Sequence, residues 1–504
     1  MYANRPSVIP LAQNPASDHA QSAAGANANA VAAAVGATAL PSTTLAALGA
    51  AASASAAVPA MEYVAPFADD MLGIIAGYLP SEDQLIFRML NRAAKKETDR
   101  QIETLSMTPG EAMALITDTT RLSNLKRLTL SDCDPVGLPA FLDALSKTHY
   151  PPFELVLIEE ENNPPFDLDV RQAKLNALDT NILHRLSTMP LSGLTLQPNY
   201  TFDLRNTSGL AAAQYPISIN LERVSNHKDF FPEVTQIASL TSLSVGKMFL
   251  FINDVTALGT HPSLTSFKTG EEVFTEYLFA ILANPRLTTL SLSRVVETSD
   301  DVGEAFRGHP SITSLQLLSI EKPALLRAIF ANPLISSLSL STRCLHASEM
   351  HHLAKMPSLR AFTLVEGDAR SPEVDEESMV ALSKKPLDTL RFEGARMSDD
   401  ALAIAASAHA SFLSFEHNRG MFNQTSITAL VANPHVKSLH FSGNLASGGA
   451  AQLAAAPELE KLSLDIASAE ETSESVQRAW QNAGKSLVDL TIIVRPEVTI
   501  SVTT

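Results

Sequence analysis

The chain has 504 residues, 45% of them hydrophobic, and a formal net charge of −17. There is enough apolar side chain to bury a large core, and the acidic balance excludes nonspecific binding to nucleic acid or to anionic membrane, both of which need a basic surface. Two cysteines, Cys133 and Cys344, are too few for a disulfide framework and fit a reducing compartment. No apolar run reaches the ~20 residues of a membrane helix without small or polar interruptions.

Residues 1–61 are rich in Ala, Ser, Asn and Pro, and Arg5 and Asp18 are the only charged side chains before Glu62. Large apolar residues are too few to offset ordering entropy, so this segment is expected to be disordered. Ala28 to Ala57 lacks a basic flank and begins too late for a secretory signal. Charge and large apolar residues then arrive together. An amphipathic helix is expected over 67–79, with Asp69 and Asp70 near its positive end, Leu72, Ile75 and Leu79 on one face, and Pro80 as its stop. Ser81 caps a second helix carrying Leu85, Phe87, Met89 and Leu90. A third helical piece is expected over Arg100 to Leu105.

Repeats begin at Leu122, with Leu125, Leu128 and Leu130 as the first strand. Further strands are expected at 153–158, at Leu191, Leu194 and Leu196, and at Ile217, Ile219 and Leu221; Glu159–Pro165 reads as an acidic loop. From 238 to 465 the pattern is regular. Asn284-Pro285-Arg286-Leu287-Thr288-Thr289-Leu290-Ser291-Leu292 recurs from His261, His309, Asn332, Met356, Asn433 and Ala456. Pro262, Pro285, Pro310, Pro333 and Pro357 are spaced by 23, 25, 23 and 24 residues. A fixed period of this size means a solenoid. The Leu-x-Leu end alternates as a half-buried strand does. Thr275 to Ala283 places Leu278, Ile281 and Leu282 at helical spacing, and Asn-Pro stops that helix because Pro lacks an amide donor. Residues 368–377 read as a surface insertion without calcium-loop spacing. Ser486 to Ile492 closes the array, and Val494 to Thr504 is a final strand or a tail.

The Leu-x-x-Leu-x-Leu core resembles the leucine-rich repeat, which implies an α/β solenoid of horseshoe form, here preceded by a small helical domain and a disordered segment. In that pattern Cys133 falls at an inward position, as a buried thiol, and Asn444 sits at the ladder position that satisfies buried turn backbone. The 62–105 block resembles an F-box, with Phe67, Met71, Leu72, Ile75, Leu79, Leu85 and Leu90 at its apolar positions; Phe67-Ala68 replaces the Leu-Pro start and Ala94 stands at the usual Trp. Gly449-Ala450 to Ala454 and Asp400 to Ala406 are similar to the GALA repeats of plant-pathogen effectors. Together with the leader, the chain resembles GALA-like F-box/leucine-rich-repeat type III effectors.

That resemblance implies domains at 1–61 (secretion leader), 62–105 (F-box-like) and 106–504 (repeats). It implies delivery into the host cytoplasm or nucleus, with a host Skp-type adaptor and an unidentified host target protein as partners. The chain would recruit substrate to a ubiquitin ligase and itself catalyse nothing. Two other readings stay open: a repeat protein that only binds, its helical block serving as a solenoid cap, and an enzyme using Cys133 or Cys344.

No phosphate loop, paired-Cys zinc spacing or nucleophile elbow occurs, so no cofactor, metal or catalytic residue is assigned. His351 and His352 are adjacent on a helix, about 100° apart, and cannot chelate one ion well; one of them is expected to face solvent. What remains is a binding surface. The residues between the repeat leucines are expected on the concave face: Ser244, Lys268, Ser291, Gln316, Ser339, Thr363, Arg391, His440 and Ser463.

Overall fold

The computed structural model describes residues 103–118, 125–133, 136–148, 150–158, 178–198, 204–222, 231–246, 252–296, 299–320, 322–342, 345, 347–366, 373–454, 456, 458–467, 478–479, 482 and 489–495. The leader, the helical block up to residue 102, the 159–165 loop, Cys344, residues 368–372 and the tail beyond 495 lie outside the described residues.

Eighteen strands are described. They are β1 (Thr104–Met107), β2 (Arg127–Ser131), β3 (Glu154–Ile158), β4 (Gly193–Gln197), β5 (Ile217–Leu221), β6 (Leu240–Val245), β7 (Ser266–Phe274), β8 (Thr289–Val296) and β9 (Ser314–Ile320). There follow β10 (Ser337–Thr342), β11 (Ala361–Val365), β12 (Glu373–Val374), β13 (Leu387–Glu393), β14 (Arg396–Met397), β15 (Ala410–Phe422), β16 (Ser438–Leu445), β17 (Lys461–Ala467) and β18 (Asp489–Arg495). All but β12 and β14, which pair with each other, form one sixteen-stranded sheet in chain order. Its neighbouring strands are parallel, as in β8–β9 and β9–β10. Parallel neighbours need a crossover. Short helices such as Thr275–Leu282, Asp300–Gly308 and Pro323–Phe330 supply it. This is the leucine-rich-repeat solenoid that the period implied.

Many of the described strands bury alternate residues. In β9 Leu315 and Leu317 are buried while Ser314 and Gln316 are half-buried. Most parallel sheets are covered on both faces and read as continuous apolar runs; here the helices cover one face and leave the other open. An eight-residue helix is too short to hold itself together in water. Its stability comes from the buried stripe, Leu278, Ile281 and Leu282 in one repeat and Val302 and Phe306 in the next. Toward the C-terminus phenylalanine replaces leucine at the inward position, and Phe392, Phe415, Phe422 and Phe441 form a run of contacting rings 5.1–6.0 Å apart.

The residue before each proline does more than stop a helix. Asn284 is buried and its amide donates to the carbonyls of Leu258 (3.1 Å) and His261 (3.3 Å), while its Oδ1 accepts from the Arg286 N–H (3.0 Å). Asn332 does the same with the Phe306 carbonyl (2.7 Å) and the Leu334 N–H (2.9 Å), and Asn433 with Ala406, Ala408 and His435. His261 and His309 take the same place, each with Nε2 3.1 Å from a carbonyl of the preceding repeat. A helix end leaves carbonyls unsatisfied; this polar column satisfies them from the following repeat. Lys385, before Pro386, holds the same place in its repeat, and its ammonium donates to the carbonyl of Met356, the column residue of the preceding repeat.

Several expectations are corrected. The sheet begins one repeat early: β1 precedes the strand at Leu125–Leu130, so Thr104 and Leu105 are strand rather than the end of a third helix. Leu105 and Met107 alternate inward against exposed Thr104 and Ser106, and pairing with β2 satisfies the backbone. Within the expected surface insertion, residues 373–377 form β12 and a helix start, Asp375 accepting from the Ser378 N–H at 2.8 Å; Glu376 and Glu377, both exposed, sit where the helix dipole favours carboxylates. Asn444 is exposed on β16, so it is not the buried ladder residue; the Asn/His column has that role. Cys133 is half-buried, its thiol 3.7 Å from the Leu130 carbonyl. His351 and His352 are both exposed.

Candidate protein-binding face

The parallel register decides which side chains share the open face. Residue by residue, Ser244 pairs with Lys268, Lys268 with Ser291, Ser291 with Gln316, Gln316 with Ser339, Ser339 with Thr363 and Thr363 with Arg391. The row then passes through Ser414, which is fully buried, to His440 and Ser463. All nine residues expected from sequence thus stand in one unbroken row. Ser414 was missed; the alternation Leu413-Ser414-Phe415 was the available signal. At ~4.8 Å per strand the row follows the sheet for roughly 43 Å.

Its middle is uncharged. Ser291, Gln316, Ser339 and Thr363 are flanked by Thr289, Ser314, Ser337 and Ala361 in the adjacent row. The Ser291 hydroxyl donates to Gln316 Oε1 at 2.8 Å, which fixes the amide with its nitrogen free to donate outward. The charges lie at either end and are mostly paired. Toward the N-terminus Lys268 meets Glu222 at 2.7 Å, the Ser244 hydroxyl donates to the same carboxylate oxygen at 2.8 Å, and Arg294 pairs with Glu272. Exposed pairs like these contribute little stability; their effect is to cancel charge on the face.

Toward the C-terminus Glu416 is the hub. Its Oε1 accepts from Arg391 at 2.8 Å and from the Ser414 hydroxyl at 2.9 Å, and lies 3.7 Å from His440 Nε2. Arg391 also approaches Glu393 at 3.5 Å, and its buried Nε has no acceptor. Beside this hub is a depression of about 430 Å³ lined by Phe412, Glu416, Ser438, His440, Lys461 and Ser463. It joins an aromatic ring, two hydroxyls, a carboxylate and a cation, which suits one anchoring side chain of a partner better than an enclosed small molecule.

Among the described residues no three His, Cys, Asp or Glu side chains converge as a metal site, and no helix is long and apolar enough to cross a membrane. The adaptor-binding candidates Phe67, Met71, Leu72, Ile75, Leu79, Leu85 and Leu90 lie outside the described residues.

No family model matches the chain, and no curated protein does. Among solved structures, the chain is similar to an internalin, InlF, from Listeria monocytogenes, with 14% identity and a TM-score of 0.34 over 77% of this chain and 94% of that one. It is also similar to TLR13 in its complex with ssRNA13, with 14% identity and a TM-score of 0.30 over 75% of this chain and 47% of the TLR13 chain.

Proposed function

We propose that this chain is a non-catalytic recruiter. The open face of its repeats binds a target protein, and the 62–105 block docks a host Skp-type adaptor. The chain would then act by proximity, raising the concentration of target near a ubiquitin ligase. The observation that carries the binding half is the single row from Ser244 to Ser463: hydrogen-bonding in its middle, charge-cancelled toward its ends, and bordered by an anchoring depression. The adaptor half, with delivery as a bacterial type III effector into host cytoplasm or nucleus, rests on the sequence resemblance of Met71, Leu72, Ile75, Leu79 and Leu85 to F-box positions and on their place directly before the repeats.

A second reading keeps the target-binding row and makes the block a cap. It is favoured by β1, which starts at Thr104 and takes up the last two residues of the 62–105 block, so that the solenoid's first strand, whose apolar edge needs shielding, follows directly in the chain.

Titrating the full chain against purified plant Skp-type adaptors separates the two. Micromolar or tighter binding, lost with Leu79→Ala plus Leu85→Ala in a chain that keeps its circular dichroism, is expected. No binding to any of several adaptors leaves the cap.

A further inference from the structure

Away from the open face, a pair of metal-ligating side chains stands at the turn before two consecutive strands. His409 lies four residues before Leu413 and His435 four before Leu439, and those leucines are paired between β15 and β16. The two histidines therefore occupy the same position of neighbouring repeats. Their ring centroids are 4.4 Å apart with planes inclined by 49°, and both residues are exposed. Both backbones are tied down. The His409 N–H donates to the Ser383 carbonyl at 3.0 Å, the His409 carbonyl accepts from the Leu387 N–H at 2.8 Å, and the His435 N–H donates to Asn433 Oδ1 at 3.0 Å. The rings are thus presented by the scaffold, while their side-chain torsions remain open to solvent.

We propose that His409 and His435 together bind one divalent transition-metal ion, of the imidazole-preferring class that includes Zn²⁺, Ni²⁺ and Cu²⁺, across the repeat boundary. Two imidazole nitrogens on one tetrahedral ion at 2.0–2.1 Å set their ring centroids about 5 Å apart. Reaching that arrangement from 4.4 Å takes a further separation of roughly half an ångström and rotation of the two exposed rings. Glu458 holds the equivalent position of the next repeat, four residues before Leu462, but its carboxylate is engaged by Lys437 at 3.0 Å. The site therefore has two protein ligands, with water completing the shell, and its metal is exchangeable. A closed structural zinc site has four protein ligands. Because the ion would join two repeats in the folded chain only, it would also raise thermal stability by mass action.

The test uses the full-length chain, with Zn²⁺ and Ni²⁺ titrated by calorimetry in a non-chelating buffer and Cu²⁺ followed by electron paramagnetic resonance. The expected result is one equivalent fewer bound by His409→Gln plus His435→Gln than by the natural chain, with a metal-induced rise in melting temperature that the double variant loses. His351→Gln plus His352→Gln should change neither. In the Cu²⁺ spectrum, coupling to two imidazole nitrogens should fall to one in either single variant. Equal stoichiometry and melting shift in the natural chain and the double variant would overturn the site, as would a natural chain that takes up no metal.

Discussion

His261 and His309 are confined to one protonation state by their partners. Each Nε2 faces a carbonyl, of Ile237 and Asn284 respectively, and a carbonyl only accepts, so Nε2 carries the proton. Each Nδ1 faces backbone N–H groups, of Ser263 at 3.4 Å and of Ser311 and Ile312 at 3.4 and 3.3 Å, so Nδ1 must be bare. A second proton would set donor against donor in a buried site. Burial pushes both histidines below their ordinary value of 6.5, against a smaller upward pull from the backbone carbonyls. Their folded pKa values are depressed, so the unfolded chain binds more protons below pH 6.5. The stability they contribute is complete above that pH and is lost as pH falls toward the folded values. Urea midpoints should drop between pH 7.5 and pH 5.5, and His261→Asn plus His309→Asn should flatten that drop, since asparagine makes the same bonds at positions 284 and 332 without titrating. An unchanged slope in the double variant would remove these histidines from the account.

Between neighbouring repeats the helices meet closely. A Cβ on Gly259 would stand 1.9 Å from the Ala280 carbonyl oxygen, a backbone atom that cannot step aside. Gly259→Ala should therefore force apart the helices Ile252–Gly259 and Thr275–Leu282 and destabilise the chain by about 1–3 kcal/mol, read as a lower urea midpoint. Gly308→Ala, with open space around its Cβ, is the control and should cost far less. This contrast was not legible in the sequence, where both glycines simply end helices. What could be read were the features encoded within about ten residues: the Leu-x-Leu strands, the Leu278-Ile281-Leu282 stripe, and the outward residues between the leucines. What could not were features that need register across a whole repeat. The Asn/His column contacts carbonyls 20–27 residues away, and His409 meets His435 only because two strands align. β1, four residues long, and β15 were passed over although Leu105 and Met107, and Leu413 and Phe415, alternate as strand residues do.

At the scale of the whole molecule, each strand of the main sheet bonds only to its immediate predecessor and successor. Stability is then close to a sum of repeat and interface contributions. Removing residues 284–308, one full period, joins Ala283 to His309 and sets one column residue in the place of another. That deletion should leave a folded chain whose circular dichroism per residue matches the natural one. Removing only 284–295 shifts strand onto helix and should abolish cooperative unfolding through the flanking repeats. If both deletions behaved alike, the repeats would not be the units of folding.

The column that alternates histidine with asparagine has a genetic reading as well. The codons of these two amino acids differ only in their first base, so one transversion converts either into the other. The boundaries at positions 261, 284, 309, 332 and 433 can thus gain or lose an acid-sensitive joint in one mutational step, with the carbonyls of the preceding repeat still capped either way. The acid response of the array can therefore drift, boundary by boundary, through intermediates that all fold.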